Sequence, residues 1–126
     1  MYLILVEICF FFEKILDVDN NYFNLDNYQI YSIEERQELI NIETYGVNDF
    51  LLIPQMDRNE IVIKFLKEKC NKKLLWIQHK THSFGKFHDY IEENHLVEAW
   101  RNYEKSELIK FASVWCEQNN IEFTIK

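Results

Sequence analysis

The sequence predicts an α+β fold, in which a small antiparallel β element packs with about four to six helices in a single domain of residues 1–126. Three observations favour it. Apolar residues recur at helical spacing through the C-terminal half. Two runs rich in Tyr, Phe and Ile flank Asp26 and Asn27, residue types that occupy tight turns. A chain of 126 residues that is 48% apolar is long enough to bury one core.

The N-terminal run MYLILVEICFFF predicts a mostly buried helix over residues 3–16. The run alternates poorly for a strand, and its few charges are Glu7, Glu13 and Lys14. It lacks the basic stretch and cleavage site of a signal peptide, and a bilayer-spanning helix needs about 20 apolar residues. We therefore expect no membrane contact, with a peripheral membrane helix as the alternative. The widely spaced cysteines separately predict a reduced, cytoplasmic protein.

The next segments predict the β element. YFNLDNYQIYSI reads as a hairpin that turns at Asp26 and Asn27. Ser32 and Glu35 have the spacing of a capping box and predict a short helix. DFLLIP predicts a third strand, because Pro54 favours an extended conformation at the residue before it.

The remaining chain predicts helices. Asp57 and Glu60 repeat the capping signature before a helix that runs to about Cys70, and NKKLLWIQHK predicts a shorter one. From Ser83 onward two more apolar stripes follow, and Ser106 is placed to cap a third segment. The three stripes are Phe84, Phe87, His88 and Ile91; then Leu96, Ala99, Trp100 and Tyr103; then Leu108, Phe111, Ala112, Trp115 and Cys116.

The chain closes with a helix end and a strand. Asn119 and Asn120 are suited to end the last helix, and the alternation in IEFTI predicts a strand. Aromatic residues at helical spacing are interpreted as core, since large apolar side chains are mostly buried. Trp100 and Tyr103 are the candidate exceptions, because they flank the polar Arg101 and Asn102.

Charge is distributed unevenly along the chain. The formal net charge is −7, but residues 58–86 hold eight basic residues against two acidic ones, a local balance of +6 that leaves −13 for the remainder. Within this basic segment, Lys72, Lys73 and Lys80 are candidates for an interaction surface together with Trp100 and Tyr103. Lysines near an aromatic residue could contact nucleic acid, although lysines on the outer face of a helix are usually solubilising.

The sequence contains no recognisable catalytic or cofactor motif. The three cysteines are far apart and predict neither a disulfide framework nor a thiolate zinc site. The two glycines open no phosphate-binding loop. A metal site at His79, His82 and His88 is the one catalytic hypothesis, and surface histidines are the preferred interpretation. We therefore expect no enzyme activity, no cofactor and no metal.

The stretch from Ser83 to Phe123 resembles the C-terminal half of a widespread bacterial family of small acidic proteins that is classed only as uncharacterised. The matching positions form an F-x-x-F pair, a Trp followed by an aromatic residue, an Ala before a second Trp, and a closing Ile-x-Phe: Phe84 and Phe87, Trp100 and Tyr103, Ala112 and Trp115, Ile121 and Phe123. The likeness extends back to about residue 20. It implies a compact α+β fold, and because that family has no assigned catalytic residues the resemblance adds nothing on mechanism.

The leading functional hypothesis is a non-enzymatic cytoplasmic module that binds another protein or regulates it. An aromatic-rich, bipolar domain without a catalytic constellation suits such a role, because complementary charge steers encounter and aromatic anchors hold interfaces. One alternative is a nucleic-acid-binding protein that uses residues 58–86. Another is an acidic immunity or antitoxin-like protein that neutralises a basic toxin.

Overall fold

A computed structural model describes residues 6–69 and 84–125, and it confirms the α+β fold. The chain divides into two compact units. The first unit comprises Met1–Met56 and Ala112–Lys126, and the second comprises Asp57–Phe111. The first unit is therefore built from both ends of the chain.

The helices and strands of the first unit are, in chain order, β1 (Val6–Glu7), a 3-10 helix (Ile8–Phe11), α1 (Phe12–Ile15), β2 (Asn21–Asn24), β3 (Ile30–Ser32), α2 (Ile33–Asn41), a second 3-10 helix (Val47–Asp49), β4 (Phe50–Leu52) and β5 (Phe123–Thr124). Those of the second unit are α3 (Arg58–Lys69), α4 (Phe84–Glu93) and α5 (Val97–Gln118), of which the residues from Ala112 onward belong to the first unit.

The predicted N-terminal helix over residues 3–16 is wrong in its first part. Val6 and Glu7 form strand β1, and α-helix is restricted to Phe12–Ile15 after one 3-10 turn. The reason is a distant partner: β1 pairs in parallel with β5, and the Val6 amide donates to the carbonyl oxygen of Glu122 at 3.1 Å. An apolar run by itself does not distinguish a buried strand from a buried helix.

The predicted hairpin and third strand are confirmed as a three-stranded antiparallel sheet in the order β3-β2-β4. Its central strand places Phe23 in the core, where the ring packs edge-on against Phe11 at 5.3 Å and against Trp115 at 6.1 Å between centroids. The left-handed residue of the turn is Tyr28, with φ 60°, rather than Asp26 or Asn27. Those two residues instead donate their amides to the buried Asn24 Oδ1.

Helix α2 begins where its capping box predicts. The Ser32 hydroxyl accepts from the Glu35 amide, and the Glu35 carboxylate accepts from the Ser32 amide. The hydrogen bond from the Ser32 amide, and next the Ser32 side chain, hold the pKa of the Glu35 carboxyl below its ordinary value. Arg36 of the same helix lies over the Tyr22 ring, with its guanidinium carbon 4.5 Å from the ring centroid.

The core of the second unit follows the predicted stripes in part, although His88 of the first of the three later stripes is exposed. Ile61, Val62, Phe65 and Leu66 of α3 are buried. Ser106 caps no helix: it lies exposed in the interior of α5, which is continuous over 22 residues. A serine starts a helix only where the preceding backbone is extended, and here the turns before it are already helical. Ala99 of the second stripe is exposed.

Helices α2, α4 and α5 end in the same way, although the chain has only two glycines. At each end a non-glycine residue adopts a left-handed conformation: Glu43 (φ 60°), His95 (φ 57°) and Asn120 (φ 57°). At α4 the Leu96 amide donates to the Ile91 carbonyl and the His95 amide to the Glu92 carbonyl, which is the Schellman pattern. Asn tolerates this conformation best of the three, while Glu and His are held there against a steric cost.

We predict that His95→Gly raises the free energy of unfolding by about 0.5–1 kcal/mol, because glycine removes the Cβ penalty of the left-handed conformation. Urea titration followed by circular dichroism measures it. As the matched control, Glu38→Gly in the interior of α2 should lower the same quantity by about 1 kcal/mol. Equal destabilisation by both substitutions would contradict the assignment of strain to His95.

Candidate functional site

Of the five residues proposed from sequence as an interaction surface, the structure describes Trp100 and Tyr103. Lys72, Lys73 and Lys80 lie outside the described residues. Trp100 is only 5% exposed, so it is not the surface anchor that its polar neighbours in sequence suggested. Tyr103 is partly exposed.

Trp100 is buried because the second unit uses it to join three helices. Its ring centroid lies 5.5 Å from that of Phe65 in α3 and 4.9 Å from that of Phe87 in α4, both in edge-to-face geometry. Such aromatic pairs contribute about 0.5–1.5 kcal/mol beyond the area they bury. The tryptophan of the W-x-x-[FY] motif, Trp100, therefore serves core packing.

The hydroxyl of Tyr103 donates a hydrogen bond to the Glu68 carboxylate at 3.0 Å. Partial burial and this carboxylate raise the pKa of Tyr103 to about 12. The phenol is therefore protonated at physiological pH, and it connects α5 to α3 as a structural donor.

Two basic residues at the start of the basic segment are already paired within the second unit. Arg58 Nε lies 3.0 Å from Glu104 Oε2, and Lys64 Nζ lies 3.0 Å from Glu107 Oε2. Both carboxylates are largely shielded, with side-chain exposures of 20% and 14%. These pairs lower the positive charge that this part of the segment presents to a polyanion.

The described histidines do not form a metal site. His88 lies beside Glu92 one helical turn away, with Nδ1 3.3 Å from Oε1, and His95 occupies the left-handed end of α4. Across residues 6–69 and 84–125, no group of three or more His, Cys, Asp and Glu side chains is arranged to hold a metal ion. His79 and His82 lie outside these ranges.

Among the described side chains, those with perturbed pKa values have the pKa moved away from neutral pH. The pKa of Asp17 is lowered by the Asp19 amide and the Asn21 side chain, and burial raises the pKa of Tyr45. Burial also raises the pKa of the Cys116 thiol to about 11. A general acid or base works best with a pKa near the operating pH, so these groups are adapted to hydrogen bonding and packing instead.

Charge and exposed apolar surface are both concentrated in the first unit. Its sequence ranges hold 12 acidic and 3 basic residues, a net charge of −9, whereas the second unit holds 9 and 11, a net charge of +2. Nine large apolar side chains are exposed in the part of the chain that the structure describes, and all nine belong to the first unit. They are Phe10, Val18, Leu25, Ile33, Ile42, Val47, Leu52, Val114 and Ile125.

One of these side chains borders an open pocket of about 440 Å³, within the range of roughly 300–1,000 Å³ typical of ligand sites. We call it the Phe10 pocket. Strand β1 and the 3-10 helix after it form one wall, and the loop between β2 and β3 forms the other. Its lining residues are Val6, Glu7, Cys9, Phe10, Asn27, Tyr28 and Gln29.

The loop wall of the Phe10 pocket is fixed by side-chain hydrogen bonds. Asn27 Oδ1 accepts from the Gln29 amide at 2.9 Å, and Asn27 Nδ2 donates to the Tyr31 hydroxyl at 2.7 Å. The left-handed Tyr28 is held by its ring, whose centroid lies 5.1 Å from that of Phe23. The pocket is thus largely preformed, which lowers the entropy that a ligand must overcome.

A second depression of about 530 Å³ adjoins the loop after α1 and is lined by polar residues, including Asp17, Asp19 and Asn21. These groups satisfy one another. Asp17 Oδ1 accepts from the Asp19 amide and Asp17 Oδ2 from the Asn21 side chain, while Gln55 Nε2 donates to the carbonyl oxygens of Asp17 and Asp19. The arrangement connects the loop to the chain after β4.

Sequence reasoning missed the Phe10 pocket because it placed the whole N-terminal run in a buried helix. A signal was present in the run itself: three consecutive phenylalanines cannot all face one core, and Glu7 precedes them. In the structure Phe11 is fully buried and Phe10 is 44% exposed.

Comparison with known proteins found no match for this chain among family models, curated proteins or solved structures. The resemblance to an uncharacterised bacterial family stays a prediction. Among the described helices, none combines the length and apolar character needed to cross a membrane.

We predict that Tyr103→Phe changes the pH dependence of stability. Tyr103 has its pKa raised from 10.0 to about 12 in the folded protein. The raised pKa therefore adds to the free energy of unfolding in full below pH 10. This stabilisation is lost as the pH rises towards 12, because the unfolded chain loses the phenolic proton first. The wild-type free energy of unfolding should fall more steeply than that of Tyr103→Phe over this interval, in urea titrations at pH 9, 10 and 11. Parallel curves would contradict the raised pKa.

Proposed function

We propose that this chain is a non-enzymatic protein-interaction module whose first unit binds a basic partner protein. One observation supports this function above the others. The unit that carries a net charge of −9 is also the unit that carries all nine exposed large apolar side chains of the described chain.

The combination of these two properties favours a protein partner. Long-range charge speeds the encounter with an oppositely charged protein, and apolar side chains supply the close contacts after encounter. A single exposed apolar residue has little meaning, but their concentration in one unit is typical of interaction surfaces. Carboxylates in excess of basic residues also repel one another, and a basic partner would relieve this repulsion.

Two other classes are less well supported. A nucleic acid would be repelled by the first unit, and Arg58 and Lys64 of the basic segment already pair with Glu104 and Glu107. An enzyme is less well supported because the side chains with perturbed pKa values have them moved away from neutral pH. They are Asp17, Glu35, Tyr45, Tyr103 and Cys116. An antitoxin-like role against a basic toxin is a narrower form of the proposed function, because it needs the same charge complementarity.

Affinity capture on the tagged full chain tests this function. Extract from cells that express the protein natively is treated with nuclease, captured at moderate salt and eluted with a salt gradient. We expect a protein of basic isoelectric point that survives nuclease. Replacing two exposed carboxylates of α2, Glu34→Gln with Glu38→Gln, should slow its association several-fold at low salt and have little effect at 1 M salt, where charges are screened within about 3 Å.

The matched control removes the same charge from the second unit, through the exposed pair Asp89→Asn with Glu93→Gln. This variant should associate at the wild-type rate. An acidic partner, a partner lost on nuclease treatment, or an equal effect of the two double variants would contradict the proposal.

A further inference from the structure

We propose that the Phe10 pocket is the docking point of that partner, and that it receives a large apolar side chain flanked by Lys or Arg from an extended segment of the partner protein. This inference rests on the proposed function and names the part of the first unit that carries it out.

The apolar part of the pocket fits an aromatic or long aliphatic side chain. Val6 and Phe10 line one wall, and Tyr28 lines the other. The Phe10 ring is exposed, and the edge-on contact with the buried Phe11, 5.6 Å between centroids, supports it from beneath. A ring that is anchored on one side and free on the other is a typical contact point for a hot-spot side chain.

The polar part of the pocket selects a cation. Glu7 is the charged residue of the described lining, and its side chain is exposed. The side-chain amides of Asn27 and Gln29 belong to the opposite wall, and no Lys or Arg belongs to the lining as the structure describes it. A Lys or Arg beside the docked side chain can pair with Glu7 and lie over an aromatic ring, where cation–π attraction adds to the ion pair.

The pocket is also placed so that a partner can reach it. Its lining includes both residues of β1 and neither residue of β5, which is the pairing partner of β1. Val6 donates its amide to the β5 side, so the pocket lies along β1 without competing for that pairing. An extended segment can therefore bind without disturbing the two-stranded sheet.

Cys9 provides a natural reporter. Its thiol is exposed in the lining, whereas the thiol of Cys116 is buried. A bound side chain should therefore slow alkylation of Cys9, measured by mass spectrometry of the peptide that contains it, and leave Cys116 unaffected.

The decisive experiment titrates the isotope-labelled chain with three synthetic peptides and follows amide chemical shifts. The probe has a central tryptophan flanked by two lysines on each side. One control peptide has alanine in place of tryptophan, and the other has glutamates in place of the lysines. We expect shift changes at Glu7, Phe10 and residues 27–29, slower alkylation of Cys9, and at least tenfold tighter binding of the probe than of either control.

Three variants distinguish binding at the Phe10 pocket from non-specific electrostatic attraction to the first unit. Gln29→Lys adds a cation at the exposed rim without touching the core, and it should weaken probe binding at least tenfold. Phe10→Ala should do the same through loss of the ring. Val47→Ala removes another exposed apolar side chain of the same unit and should leave binding unchanged.

Three results would overturn the assignment: equal binding of the tryptophan and alanine peptides, shift changes centred on the carboxylates of α2, or no probe binding at millimolar concentration. The natural partner distinguishes this failure from failure of the proposed function. If Gln29→Lys captures the basic partner as well as the wild type does, the pocket is wrong and the function stands. If the wild type captures no basic partner, the function itself is wrong.

Discussion

The first unit depends on the burial of one ring, that of Phe11. This side chain is fully buried and packs edge-on against Phe23 at 5.3 Å and against Trp115 at 5.2 Å between centroids. It therefore joins the N-terminal segment, the central strand of the sheet and the end of the last helix in one core. Truncation of a buried aromatic ring to alanine costs about 3–5 kcal/mol, a large part of the stability of a small domain. The parallel pairing of β1 with β5 completes the connection between the two ends of the chain.

The Phe10 pocket is a consequence of this burial. In a 3-10 helix consecutive side chains are separated by about 120°, so that burial of Phe11 directs Phe10 away from the core. The surface next to β1 then presents a supported ring beside the carboxylate of Glu7. The exposed ring at this position needs no dedicated loop, because the geometry that closes the core also creates it.

The two units differ in how their charged side chains are paired. In the second unit, acidic side chains of α5 pair with basic side chains of α3, and the phenol of Tyr103 binds Glu68. The first unit has 12 acidic residues and only 3 basic ones. Carboxylates such as those of Asp17 and Glu35 accept hydrogen bonds from backbone amides instead. The acidic residues of the first unit therefore outnumber the basic residues of its own sequence ranges by nine. That imbalance is the basis on which we propose a basic partner for the first unit.

The sequence by itself determined the local features. The hairpin, the capping box of α2, the third strand, the stripe of α3 and the helix end at Asn119 and Asn120 all follow from short-range patterns, because turn, cap and helical spacing involve residues within a few positions of each other. The tertiary structure alone decided the rest. Whether Val6 belongs to a strand depends on β5 at the other end of the chain, and whether Trp100 is buried depends on Phe65 and Phe87. Which of the adjacent Phe10 and Phe11 faces the core depends likewise on Phe23 and Trp115. No local pattern encodes these distant partners, and so the candidate binding site could be recognised only once they were in place.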